Sequence, residues 1–175
     1  MKAGTFIRRF LVFGPVLTLY YYLRDRALVS AKAEVDLTGN LRMGRGTRIG
    51  SFSKVKASDG PISIGRDVHV ATNCFISAGI SGLEIGDDCL IGPGCSITAS
   101  NYGYSDIQVP MRLQGQPSKG IRIGSNVWIG SNVVILDGAE VGKGVIVSAN
   151  SVVSGKVPDN AIVQGNPARI IFVRR

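Results

Sequence analysis

The stretch "IGSNVWIGSNVVILDGAEVGKGVIVSANSVV" (residues 123–153) places an aliphatic residue at every sixth position: Ile123, Ile129, Ile135, Val141, Val147 and Val153. A period of six matches neither the 3.6 of an amphipathic helix nor the alternation of a hairpin meander. It describes one short strand and one turn per hexad, stacked into a solenoid. The same frame runs back through "MGRGTR" and "IGSFSK" (43–54), "IGRDVH", "VATNCF" and "ISAGIS" (64–81), and "IGDDCL", "IGPGCS" and "ITASNY" (85–102). Position five of the hexad holds Thr47, Ser53, Val68, Cys74, Cys89, Cys95, Val127, Val133, Ala139, Val145 and Ser151, all small or β-branched. Together with the aliphatic first position, this predicts a second inward-facing site in a narrow triangular coil. Glycine at position two, as at Gly124 and Gly130, is expected to supply the backbone freedom that turns each corner.

The rest of the composition agrees with a β-rich domain. The chain has 175 residues, enough for one domain with a substantial core. Gly is abundant at 23 residues and aromatics are few at 7%, which suits short strands and tight turns. The net charge of +8 invites an anionic partner. The basic residues gather at the ends, however: Lys2, Arg8, Arg9, Arg24 and Arg26 at one, Arg169, Arg174 and Arg175 at the other. No basic run is interleaved with aromatics, so no nucleic-acid partner is expected. Cys74, Cys89 and Cys95 all fall at position five and read as core thiols, and their odd count suits a reducing, cytoplasmic compartment. With no CxxC and a single histidine, His69, the chain offers no ligand set for a metal.

Residues 1–34 stand apart as an apolar helical segment. "FLVFGPVLTLYYYL" (10–23) is short for a membrane span and is broken by Gly14-Pro15. With arginines on both sides, residues 1–30 read as an interfacial helix pair on an anionic membrane surface, peripheral at its inner face. They read equally as a helix pair packed on the protein's own oligomer. Ala31-Lys32-Ala33 imitates a signal-peptide cleavage site, but Arg24, Asp25 and Arg26 sit badly in such a region.

The hexads, together with "VPDNAIVQGNPARII" (157–171), resemble the left-handed β-helix hexapeptide acyltransferases, with the nearest likeness to galactoside, maltose and polysaccharide O-acetyltransferases. The resemblance covers residues 43–175. It implies an all-β fold: a left-handed parallel β-helix over 35–160, a loop inserted at 103–120, and a capping segment over 161–175. "NPARIIFVRR" (166–175) is expected to be a short C-terminal helix, with Asn166 as N-cap and Pro167 in its first turn. The resemblance further implies a homotrimer with sites between chains. There, acetyl-CoA would be the co-substrate and a sugar or saccharide hydroxyl or amine the acceptor. It carries cofactor binding to Trp128, Ser131, Ala149 and Ser154. Trp128, outward at position six, suits a trimer interface as well. Two departures remove cations that would meet the nucleotide phosphates. Gly155 stands where the family has lysine, with Lys156 adjacent, and Phe172 stands where arginine is common, with Arg174 nearby.

By the same resemblance, Tyr102 occupies the position of the catalytic histidine, and Asn73 matches an asparagine that positions the acceptor. An imidazole suits deprotonation of a hydroxyl near neutrality. A phenol is overwhelmingly protonated at pH 7, yet it donates and accepts hydrogen bonds. Three hexads per coil place His69 on the corner of Leu90 and Trp128, away from Tyr102. Three readings follow: an O-acyltransferase with an altered base, an N-acyltransferase, or a non-catalytic scaffold in membrane-associated polysaccharide biosynthesis. Loop 103–120, long for a solenoid, is expected to wall the acceptor site.

Overall fold

In the computed structural model, which describes residues 14–175, the chain winds into a parallel coil of six turns. Each turn adds one strand to each of three sheets. Sheet A stacks Leu28–Val29, Arg48–Ile49, His69–Val70, Leu90–Ile91, Trp128–Ile129, Ile146–Val147 and Ala161–Gly165. Sheet B stacks Glu34–Val35, Lys54–Lys56, Phe75–Ala78, Ser96–Ala99, Val134–Leu136 and Val152–Val153. Sheet C stacks Leu41–Met43, Ile62–Ile64, Leu83–Ile85, Ile121–Ile123, Glu140–Val141 and Lys156–Val157. The coil begins at Leu28, ahead of the first legible hexad. Leu28 stacks on Arg48 and Arg48 on His69, steps of 20 and 21 residues, whereas Trp128 stacks on Ile146 after a regular 18.

The core is built as the period requires. Ile49, Ile76, Ile97, Ile129 and Ile135 at position one are buried, and so is each of the position-five residues named above, from Thr47 to Ser151. The polar members of that second set are hydrogen-bonded: Thr47 and Ser53 donate to the position-two carbonyl of the next coil, and Ser151 Oγ accepts from Gly165 N (3.0 Å). Thr47 Oγ1 donates to Gly65 O (2.7 Å) and Ser53 Oγ to Ala71 O (2.8 Å). The thiols of Cys74, Cys89 and Cys95 donate to Gly92, Gly124 and Gly130 O (3.2, 3.2 and 3.1 Å). Burial pushes the Cys89 thiol up, and the neighbouring Cys74 thiol together with burial pushes Cys95 up. The hydrogen bond with Cys95 brings the Cys74 thiol down to about 7. All three thiols are nevertheless buried and bonded to carbonyls of the next coil, which makes them core donors.

The corners differ from the sequence expectation. The left-handed residue is at position four: Phe52, Asp67, Asn73, Asp88, Asn126, Asn132 and Asn150 all have φ between 54° and 62°. Position-two glycine serves another purpose, close approach of the next coil. A Cβ on Gly86 would lie 2.6 Å from Ser125 N, and one on Gly130 2.7 Å from Ala149 N.

The two ends are closed differently. Helix α1 (Gly14–Asp25) packs on the first coil through buried Leu17 and Tyr21, and the Tyr21 hydroxyl donates to Asp36 O at 2.5 Å. The first member of the expected helix pair lies outside the described residues. At the other end, the expected C-terminal helix is a strand, Ala168–Val173, antiparallel to Ala161–Gly165. Ile170-Ile171-Phe172-Val173 is a β-branched and aromatic run that favours an extended chain. The open edge of sheet A supplies its partner. Asn166-Pro167 therefore sits in a hairpin turn, not at a helix start.

Candidate functional site

The three faces of the coil differ in what position two allows. On sheets A and C it is mostly glycine: Gly50, Gly92 and Gly130 on A, and Gly44, Gly65, Gly86, Gly124 and Gly142 on C. On sheet B it is Lys56, Ser77, Thr98, Leu136 and Ser154. There the strands run three or four residues through most coils, and these side chains form an outward column, Lys56 beside Ser77, Ser77 beside Thr98, Thr98 beside Leu136. Sheet C instead presents a charged column, with Arg122 beside Glu84 (3.8 Å) and Lys156 beside Glu140 (3.0 Å). Sheet B is the face with chemistry to offer.

A cleft of about 340 Å³ opens at the edge of sheet B. Lys56, Ser77 and Thr98 form its floor, Phe75 and Tyr102 its aromatic walls, and Ser58, Asp59, Asn101 and Gln116 its rim. Its second-coil edge is braced from below. Buried Asp36 accepts hydrogen bonds from Ala57 N (3.1 Å) and from the Ser58 hydroxyl. Lys56 donates to Glu34 and lies 3.9 Å from Asp36, and its hydrogen bond holds the Glu34 carboxyl below the usual range. Tyr102 is 58% exposed and its hydroxyl has no hydrogen bond among the described residues, so it is available to a ligand.

The loop beyond Tyr102 leaves and re-enters the coil at adjacent points. Asn101 N donates to Pro117 O (3.1 Å) and Gly103 N to Gly115 O (3.0 Å), closing a two-stranded stem. Gln114 ties the tip by accepting from Asp106 N (3.0 Å) and donating to Val109 O (2.6 Å). Tyr104, Ile107, Met111 and Leu113 are exposed along it.

The other sequence-derived residues lie apart from this cleft, except one. Ser154 continues the sheet B column, two strands beyond Thr98, or about 10 Å at ordinary strand spacing. Trp128 faces outward from sheet A, beside Leu90, which in turn is beside His69. Ser131 and Ala149 stack at the corner between sheets A and B, where Asn150 N donates to Ser131 O (2.9 Å). Asn73 lies at that corner of the third coil, with φ 57°, so the width of Phe75–Ala78 separates it from Tyr102. His69 is on sheet A and does not line the cleft. Lys156 is engaged with Glu140 on sheet C, so it does not stand in for the lysine missing at Gly155.

Sequence reasoning missed Lys56, Ser58, Phe75, Ser77, Thr98 and Gln116. One signal was present: every third hexad lacks glycine at position two, and those hexads make sheet B.

Comparison with known proteins agrees with this architecture. A family model described as bacterial transferase hexapeptide (six repeats) matches residues 120–155, and one described as hexapeptide repeat of succinyl-transferase matches 41–78 and 76–99. The Escherichia coli protein named "Putative lipopolysaccharide biosynthesis O-acetyl transferase WbbJ" is 43% identical over 67 residues, 38% of this chain and 34% of that protein. The chain thus spans about a third of the length of such curated relatives. AntD, an N-acyltransferase from Bacillus cereus solved with dTDP and 3-hydroxybutyryl-CoA, is 26% identical with a TM-score of 0.76, covering 86% of this chain and 81% of AntD. The hexapeptide-repeat acetyltransferase VCA0836 of Vibrio cholerae, solved with acetyl coenzyme A, is 26% identical with a TM-score of 0.60, covering 98% and 83%. The coil is the left-handed parallel β-helix of these proteins.

Proposed function

We propose that this chain of hexapeptide repeats transfers an acyl group, acetyl in the simplest case, from coenzyme A to an amine or hydroxyl of a saccharide. The observation that carries this reading is the sheet B column, which joins a polar cleft walled by Phe75 and Tyr102 to Ser154 in one line. In the proposed arrangement the acyl-CoA arm runs past Ser154 toward Thr98. The saccharide rests against the aromatic walls, hydrogen-bonded by Ser77, Asn101 and Gln116. Trp128, Ser131 and Ala149 flank the cofactor, and loop 103–120 closes over the acceptor. A homotrimer is part of this reading. The exposed apolar side chains of Leu90, Trp128 and Phe172 on sheet A suit a partner chain, unlike the charged face of sheet C.

An amine acceptor fits the cleft best, because the lining residues include no imidazole. The neutral amine attacks the thioester carbonyl carbon, the C–S bond breaks, and the departing thiolate takes the proton released by the new amide. Tyr102 then serves as a hydrogen-bond partner that orients the acceptor rather than as its base. Work on saccharide precursors at the inner face of a membrane completes the reading.

A second reading, a scaffold without turnover, is favoured by one observation: neither Gly155 nor Lys156 presents a cation where the phosphates would lie. Thermal unfolding with increasing acetyl-CoA separates the two. Ligand at 100 times its Kd should stabilise by about 2.7 kcal/mol, raising Tm by roughly 5–10 °C for a chain of this size. No rise at millimolar acetyl-CoA would overturn the transferase reading.

A further inference from the structure

We propose that the helix-capped end of the solenoid is a docking surface for an anionic lipid bilayer, with α1 lying in the interface and the coil axis standing away from it. This sharpens the membrane placement proposed above and does not depend on acyl transfer.

Helix α1 carries two apolar stripes, and the protein covers one. Leu17 and Tyr21 are buried on the first coil, and the Thr18 hydroxyl on the same side donates to Val29 O (2.7 Å). On the other side Val16, Leu19, Tyr20 and Leu23, spaced i, i+3, i+4 and i+7, are 41–65% exposed. An ordinary surface helix would be polar there. Beside the stripe a cavity of about 350 Å³ opens between Val16, Leu17 and Tyr20 and the first-coil residues Leu37, Thr38 and Gly39.

Charge identifies the occupant. Residues 1–60 hold eleven of the twenty Lys and Arg but four of the twelve Asp and Glu, so seven of the eight net positive charges lie in that third of the chain. Arg26, Lys32, Arg42, Arg45 and Arg48 are exposed and form no ion pair among the described residues. They lie on α1's exit and the first two coils. With about 4.8 Å between stacked strands, that is within roughly a Debye length of the capped end at physiological salt. An apolar stripe with nearby cations that form no ion pair among the described residues matches the two parts of an anionic bilayer surface, acyl boundary and headgroups. Tyr20 and Tyr22 suit the interface between them. A second copy docked on the same stripe would set these five cations against their equivalents. Among the described residues no helix is long and apolar enough to cross a membrane.

The test is co-sedimentation of the full chain with vesicles of phosphatidylcholine containing phosphatidylglycerol, and with pure phosphatidylcholine. The wild type should pellet with the anionic vesicles only and be released by high salt. Leu19→Glu/Leu23→Glu, on exposed positions, should lower partitioning by about tenfold or more with Tm unchanged, and Arg45→Glu/Arg48→Glu should do likewise. Wild type that stays in the supernatant overturns the proposal, as does a Leu19→Glu/Leu23→Glu variant that pellets like wild type. Binding that emerges only after removal of residues 1–13 assigns the stripe to the chain's own segment and overturns it too. So does a variant that changes the mass by light scattering while vesicle binding is absent, since the stripe is then a contact between copies. The acetyl-CoA shift of Tm is measured on the same samples. Its absence with vesicle binding intact removes the transferase reading and leaves this one standing.

Discussion

Gly86→Ala is the sharpest test of how the coils stack. The added Cβ would lie 2.6 Å from Ser125 N and 2.7 Å from Gly124 C. Both are backbone atoms of the next coil, held in place by the hydrogen bond from Gly86 N to Ile123 O (2.8 Å). Neither can rotate away, so two rungs of sheet C must part by several tenths of an ångström. Overpacking of this kind costs about 1–3 kcal/mol. For a chain of this length the loss lowers Tm by about 2–4 °C per kcal/mol, giving a fall of roughly 2–12 °C. Gly155→Ala is the control, because a Cβ there meets nothing within 4 Å and its φ needs no glycine. It should leave Tm unchanged or raise it slightly, since alanine restricts the unfolded chain. The corner gives the opposite pattern: Asn126, with φ 57°, should accept glycine freely and lose about 1–2 kcal/mol on substitution by alanine. The assay is thermal unfolding by circular dichroism on all four variants. If Gly86→Ala melts within about 1 °C of wild type, or Gly155→Ala falls as far, close approach is not what selects glycine at position two.

Three further outcomes are expected. The thiols of Cys74, Cys89 and Cys95 should not react with Ellman's reagent in the native protein and should all react in guanidinium, because each is buried and hydrogen-bonded to the next coil; rapid native labelling would contradict their place in the core. Glu34 is held below the usual carboxylate range by Lys56, so its contribution to stability is full above the unfolded value near pH 4.3 and is lost as pH falls through the lower folded value. Glu34→Gln should therefore lower Tm at neutral pH and flatten its acid dependence, an effect read from melts across the acid range. Tyr102→His should raise turnover of hydroxyl acceptors by about 10²–10⁴-fold and change amine acceptors far less. Equal gains on both would show that the missing base does not decide acceptor choice.

Much of the solenoid was legible because its core is written in a strict period. Position one of the hexads is buried throughout, position five is buried except at Ile80 and Asn101 where the chain leaves the regular coil, and counting three hexads per coil put His69, Leu90 and Trp128 in one column. The opening rungs were hard to read because only Val29, Val35 and Leu41 keep the six-residue spacing there, before extra residues stretch the first two coil steps to 20 and 21. The C-terminal segment was misread because Asn-Pro marks a hairpin turn as readily as a helix start. What decided the matter was the β-branched run beyond it and an open sheet edge. The cleft was the least legible part. Lys56 and Ser58 reach Thr98 and Tyr102 across some 40 residues of chain, through strand stacking alone.

The stem at Asn101–Gly103 and Gly115–Pro117 has a consequence for descent. Across the loop the stacking is undisturbed, with Leu83 beside Ile121 and Leu90 beside Trp128. The coil therefore does not register what hangs from the stem. Under the proposed function, in which loop 103–120 closes over the acceptor, a lineage of such chains can exchange this cassette by recombination and inherit a new acceptor preference in one step, without moving a core side chain. Grafting a foreign stem-closed loop between Ser100 and Gly120 is accordingly the shortest route to redirecting this scaffold.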